Sequence, residues 1–163
     1  GSAVVLGAGG AARAVVVALA LSGLGLITVA NRTGWKAIQF EKDLATISET
    51  EISAVDLASN QLNSAIRSAD LLVNTTSVGM QETDQLLIDP DSLNPGTIVY
   101  EIVYTPLETP LLRVAREKGC QTIGGIGMLV HQGAIAFEKW IGIVPNVETM
   151  RIALKQALYQ KKL

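Results

Sequence analysis

The sequence has one cysteine, one histidine and five prolines, and only 17% of its 163 residues are charged. A single cysteine, Cys120, excludes an internal disulfide and suits a reducing compartment, so a cytoplasmic protein is expected. Cys120 itself reads as a small buried residue entering a strand. The lone histidine, His131, falls in a helical stretch and is expected at the surface or in packing rather than in catalysis. Thirteen basic residues against 15 acidic ones, a net charge of −2, and no basic cluster argue against a nucleic-acid partner. The long apolar stretch over residues 14–30 is broken by Ser22, Gly23 and Gly25 and has no basic flank, which argues against a membrane span or a signal peptide. Repeats and low-complexity segments are also lacking.

What is there is a chain 48% hydrophobic, of a length that suits one domain with a substantial core. Strand patterns fall at residues 3–7, 26–30, 52–55, 70–74, 97–102 and 121–123. Helical patterns at 11–21, 34–44, 61–68 and 110–118 lie between them, and further helices are expected after Gly125 and over 147–163, the last with Ile152, Leu154 and Leu158 on its apolar face. Strands alternating with helices and without hairpin signals predict an α/β fold: a doubly wound, Rossmann-type parallel sheet with helices on both faces. Ligands of such sheets collect at the carboxyl ends of the strands. Residues 81–95, rich in Asp, Pro and Asn, read as a loop beside that edge.

The first strand end carries the strongest motif. Val4-Val5-Leu6-Gly7-Ala8-Gly9-Gly10-Ala11-Ala12-Arg13 is an apolar run, a G-x-G-x-x-A turn and a helix start, the spacing of a dinucleotide fingerprint. Gly7 makes the sharp turn, Gly9 admits backbone close to a phosphate, and Ala12 lets the helix lie near the strand. Unpaired N–H groups at the helix start favour the pyrophosphate.

The second strand end states which dinucleotide. An NAD site places an acid there for the ribose hydroxyls; this chain has Asn31-Arg32-Thr33 with Lys36 one turn on, two cations and a hydroxyl. Charge-assisted hydrogen bonds to a 2′-phosphate contribute about 1.5–3 kcal/mol each, so NADP is the expected cofactor. Thr33 stands where a helix cap belongs, and Trp35, next to the clamp, is a candidate to cover the adenine face. After the fourth strand, Asn74, Thr75, Thr76 and Ser77 offer four small hydrogen-bonding side chains suited to the cofactor ribose and nicotinamide.

Five segments together resemble the cofactor-binding half of shikimate dehydrogenases. They are Gly7 to Ala14; Asn31-Arg32-Thr33 with Lys36-Ala37; Asn74-Thr75-Thr76-Ser77-Val78-Gly79-Met80; Tyr104-Thr105-Pro106 with Thr109-Pro110-Leu111-Leu112; and Gly125-Ile126-Gly127-Met128-Leu129 with Gln132-Gly133-Ala134, Phe137 and Trp140. The resemblance implies NADP-dependent, reversible reduction of 3-dehydroshikimate to shikimate in aromatic amino-acid biosynthesis. Carried over by position, Gly7, Ala8, Gly9, Gly10 and Ala11 match the phosphate loop, and Asn31 to Lys36 the adenosine phosphate clamp. Ile102 and Gly125 match positions lining the nicotinamide, while Tyr104 and Gln132 match positions reaching the substrate from the cofactor side.

Two departures stand out. Glu101 occupies a position where the family usually has Asp, and nothing in the chain corresponds to the family's amino-terminal substrate domain, which supplies the catalytic Lys and Asp. The resemblance therefore implies a cofactor-binding domain over residues 1–163, with no catalytic residue of its own, no metal and little turnover. Trp140 is expected to anchor its helix in the core, and an apolar surface left by the absent half predicts self-association, such as a homodimer. Two alternatives stay open: a quinate/shikimate dehydrogenase-like enzyme of looser choice, and a stand-alone nucleotide-sensing domain.

Overall fold

The structure, a computed structural model, describes residues 1–44, 49–81 and 83–160. Its six strands are β1 (Ser2–Leu6), β2 (Leu26–Asn31), β3 (Glu51–Asp56), β4 (Leu71–Asn74), β5 (Ile98–Glu101) and β6 (Gln121–Ile123). All pair in parallel in the order β3-β2-β1-β4-β5-β6. The helices are α1 (Gly10–Leu21), α2 (Gly34–Leu44), α3 (Asn60–Ser68), α4 (Pro110–Glu117), α5 (Ile126–Ile141) and α6 (Val147–Gln160). The expected architecture is thus observed, with boundaries shifted by a residue or two. The last residues of the expected terminal helix, 161–163, and Glu82 of the expected loop lie outside the described residues.

Apolar side chains point alternately to the two faces of β1, and each face carries its own core. Val4 and Leu6 join Leu62 and Ile66 of α3, Leu72, Val99, and Leu111 and Ala115 of α4. Val5 joins Ala12, Val16 and Ala20 of α1, Ile27, Val29, Phe40 of α2 and Val73. Burying each of the larger aliphatic side chains stabilises the sheet by roughly 1.5–3 kcal/mol. Ala12 is fully buried, as close approach of α1 to the sheet requires. Cys120 is also buried, donating to the Asn94 carbonyl at 3.1 Å, and burial pushes its thiol pKa up.

Local signals set the helix ends. Ser59 accepts from the Gln61 N–H to start α3, and Thr109 accepts from the Leu112 N–H to start α4, with Pro110 in the first turn. Gly142, with φ +75°, closes α5 in the left-handed region. Among the described residues no helix is long and apolar enough to cross a membrane.

Trp140 is a correction to the sequence reading: it is 81% exposed. Its place near the end of α5 brings it out beside exposed Ile141, Ile143 and Val144, on a helix that packs against α6. α6 is amphipathic as expected, but none of its residues is fully buried; Leu154 and Leu158 are half-buried and Ile152 is exposed.

Candidate functional site

The strand order reverses direction between β1 and β4, since β1 continues to β2 on one side while β4 continues to β5 on the other. A crevice at the carboxyl rim of such a seam is the standard ligand position in open parallel sheets. One line of register partners, Ala30, Leu6, Asn74 and Glu101, crosses four strands at this rim. Gly7, Asn31, Thr75 and Ile102 each lie one residue beyond it, and Asn74 lies on it.

Gly7 turns the chain out of β1 with φ +105°, a conformation that favours glycine. Its N–H donates to the Ala30 carbonyl at 2.7 Å, while the Thr75 N–H and hydroxyl both donate to Leu6 oxygen, at 2.9 and 2.6 Å. A Cβ on Gly7 would come within 2.8 Å of the Thr75 hydroxyl oxygen. The turn is thus pinned from both sides. Ala8 is half-buried, whereas Gly9, Gly10 and Ala11 face solvent, and a Cβ on Gly9 or Gly10 would meet nothing within 4 Å. No side chain caps α1 and its first turn holds no acid, so its first N–H groups are available to an anion over the open glycines.

At the end of β2, the Asn31 amide donates to the Thr33 carbonyl at 3.1 Å, and that carbonyl also accepts the Lys36 N–H at 2.9 Å. Arg32 and Lys36 are exposed, and neither has an ion-pair partner among the described residues. The Lys36 ammonium lies 5.8 Å from the centre of the exposed Trp35 ring. A cavity of about 150 Å³ opens here, lined by Ala8, Trp35 and Lys36 together with Arg13, Phe40 and Asp43. Arg13 pairs with Asp43 at 2.6 Å and lies over the Phe40 ring at 5.3 Å. Its hydrogen bond to Asp43, with that of Gln39, holds the carboxyl below its ordinary value. The carboxylate at this corner is therefore already engaged, and Arg32 and Lys36 remain uncompensated.

The loop after β4 is built on Asn74, which is 2% exposed. Its amide nitrogen donates to the Val78 carbonyl at 2.9 Å and to Glu101 Oε2 at 3.0 Å; its oxygen accepts from the Thr76 N–H and hydroxyl. Asn74 is thus turned inward and shapes the loop, where the sequence suggested a ligand contact. Thr75, Thr76 and Ser77 are the residues it presents to the cleft. Glu101, whose place in the sequence signalled only a departure from pattern, is fully buried beside it. Burial pushes its pKa up, opposed by the hydrogen bonds it accepts from Asn74, the Val103 N–H and the Thr109 hydroxyl.

These segments border a cavity of about 520 Å³. Thr75, Thr76, Ser77 and Met80 form one wall, Ile102 and residues 103–107 another, with Met128 of α5 and Leu158 of α6 completing it. Tyr104, 38% exposed, also borders a neighbouring cavity of about 450 Å³ with Gly125, Arg151 and Lys155. Gly125 is buried against the end of β5: a Cβ there would fall 2.7 Å from the Val103 carbonyl oxygen. Gln132 is exposed on α5, and its amide donates back to the Leu129 carbonyl at 3.1 Å. His131 is exposed as well. The sequence reading missed Leu158 of α6 at this cleft; the helical spacing of Leu154 and Leu158 signalled an apolar face without pointing to this cleft.

Known proteins place this geometry in context. Residues 1–85 match the family model described as shikimate/quinate 5-dehydrogenase, and residues 125–155 match that of the shikimate 5′-dehydrogenase C-terminal domain. The NADP(+) shikimate dehydrogenase of Roseobacter denitrificans is 46% identical over 90% of this chain and 51% of its own length. The shikimate 5-dehydrogenase of Listeria monocytogenes, solved with shikimate and NAD, superposes with a TM-score of 0.87 at 34% identity, over 94% of this chain and 55% of that one. Quinate dehydrogenase of Corynebacterium glutamicum, solved with NAD, gives 0.87 at 32% identity over 95% and 55%. The chain therefore spans about half the length of the relatives it matches.

Proposed function

The chain belongs to the shikimate/quinate 5-dehydrogenase family, and from that premise we propose that it is the part of such an enzyme that binds NADP(H). One observation carries the choice of cofactor: Arg32 and Lys36 stand exposed and without an acidic partner among the described residues, at the strand end where the adenosine ribose of a dinucleotide lies. Two cations there fit a 2′-phosphate monoester. The name of the Roseobacter relative, which specifies NADP(+), supports the same reading.

The residues present fit the rest of the dinucleotide. Open space over Gly9 and Gly10 and the uncapped start of α1 suit the pyrophosphate. The cavity of about 520 Å³ would take the nicotinamide, with Thr75, Thr76 and Ser77 toward its ribose and Ile102 beside the ring, while Gly125 backs Ile102 from the neighbouring cavity. When bound, the nicotinamide supplies the hydride for reducing a ketone such as 3-dehydroshikimate. The chain's own residues bind and orient: Tyr104 offers a phenol donor and acceptor to a polyhydroxylated acid, and Gln132 an amide from α5. Proton donation to the developing alkoxide is a separate task worth roughly 10²–10⁴-fold, and we assign it to residues that this chain does not supply. A cytoplasmic setting fits the reading, and so does pairing of two copies through exposed Trp140, Ile143 and Val144.

Titration calorimetry tests the proposal. NADP(+) binding the chain at least tenfold more tightly than NAD(+) is the expected result; equal affinities would overturn the cofactor choice, and failure of both to bind would overturn the whole reading.

A further inference from the structure

Two segments that line the cleft and the start of α4 converge on one buried carboxylate. Glu101 ends β5, is fully buried, and lies opposite Asn74 in the β4–β5 register. Its Oε1 accepts from the Val103 N–H at 3.1 Å; its Oε2 accepts from the Asn74 amide at 3.0 Å and from the Thr109 hydroxyl at 3.3 Å. Each of these partners belongs to a different piece of structure. Val103 precedes Tyr104, Asn74 folds the Thr75–Thr76–Ser77 wall, and Thr109 caps α4. Gly79, with φ +108°, brings the far end of that wall back over the same carboxylate, where a Cβ on it would lie 3.5 Å from Oε2.

We propose that Glu101 is a positioning residue for the nicotinamide end of the cleft: one carboxylate fixes the Thr75–Ser77 wall and the Tyr104 wall relative to each other. This rests on the cofactor reading above. Two acceptor oxygens facing three donors make the linkage specific to a carboxylate. Glutamine in its place presents one oxygen and one NH₂, so either the Val103 N–H or the Asn74 NH₂ would face another donor. Glu101 touches neither the adenosine corner nor the glycine turn; Arg32, Lys36 and Gly9 are held by other strands. Its effect therefore falls on one half of the dinucleotide only.

That asymmetry gives the test. The intact chain, Glu101→Gln and Glu101→Asp are titrated with NADP(+) and with adenosine 2′,5′-bisphosphate, which has the adenosine corner and no nicotinamide. Glu101→Gln is expected to weaken NADP(+) about tenfold, the size of one lost charge-assisted hydrogen bond, with the bisphosphate changed less than about twofold. Glu101→Asp, which keeps both oxygens, restores NADP(+) to within about threefold of the parent. Thr109→Val, isosteric and away from the cleft, removes one donor to Glu101 together with the hydroxyl that caps α4, and gives the same one-sided loss; it decides the matter where Glu101→Gln does not fold. Equal weakening of both ligands, or of neither, overturns the positioning role. A parent chain that binds the bisphosphate and not NADP(+) also overturns it while leaving the phosphate clamp intact, and a parent chain that binds neither overturns the cofactor reading and this inference with it.

Discussion

Gly125 lies flat against the peptide that follows Ile102: a Cβ built on it would stand 2.6 Å from the Ile102 carbonyl carbon. Its φ of −71° is ordinary, so glycine is required here by space and not by backbone conformation. The obstacle is backbone on the far side, which cannot swing aside as a side-chain tip would. Gly125→Ala is expected to cost about 1–3 kcal/mol, the usual range for forced overpacking, and to widen the gap between β5 and α5. Urea unfolding gives the first number, and weakened NADP(+) binding reports the second. A variant as stable as the parent would show that the two segments are not in contact in solution.

Gly7→Ala tests the other end of the cleft. Here both conformation and space oppose the change, since φ is +105° and the new Cβ would meet Thr75. A positive φ in a non-glycine residue costs about 1–3 kcal/mol, and the clash adds to it. We expect a lower thermal midpoint and loss of binding of adenosine 2′,5′-bisphosphate, read by calorimetry.

Arg32→Ala should weaken NADP(+) roughly ten- to hundredfold, as forfeiting one charge-assisted hydrogen bond does, and leave NAD(+) within about twofold. Lys36→Ala acts in the same direction. Because both side chains are exposed and unpaired among the described residues, thermal stability should stay within a degree or so. Loss of NAD(+) binding in parallel would place the cations somewhere other than the 2′-phosphate.

Glu101 also sets a pH dependence. Burial raises its pKa above the ordinary 4.5, so the folded chain holds this proton more tightly than the unfolded chain does. Its contribution to stability is therefore complete below about pH 4.5 and is lost as pH rises through the higher folded value. Glu101→Gln removes that dependence, and its stability, followed by urea midpoints from pH 4 upward, should fall less steeply than the parent's. Parallel curves would contradict the assignment. Asp43 and Asp91, whose pKa values are lowered by Arg13 and Lys118, push the other way in both proteins.

Cys120 should resist alkylation at neutral pH. Its thiol is buried, bonded to the Asn94 carbonyl and raised in pKa, so thiolate is scarce and access closed. Iodoacetamide is expected to modify the unfolded chain more than about tenfold faster than the native one, followed by mass spectrometry.

The strands and helices were legible because each is local: apolar runs closed by Gly7, Gly23 and Gly119 punctuate the chain at the intervals a parallel α/β sheet needs. The glycine turn and the Arg32–Lys36 corner were legible for the same reason, being short motifs whose chemistry is carried by neighbours in sequence. What stayed hidden depends on pairing across distance. Asn74 and Glu101 are 27 residues apart and meet only through the β4–β5 register, so an asparagine at a strand end read as a ligand contact and turned out to be the loop's keystone. Trp140 misled for a related reason. A large aromatic in an apolar helix suggests a core anchor, yet only the placement of the helix end decides which way its surface looks.

The order of the sheet has one more consequence. Residues up to the end of α3 build β1, β2 and β3, the remainder builds β4, β5 and β6, and the two triplets join along the single β1–β4 edge. Thr75 leaning on Leu6 straddles that edge, directly beneath the crevice. Anything gripped there staples an early triplet to a late one, so occupancy and cohesion of the two half-sheets are a single linked equilibrium.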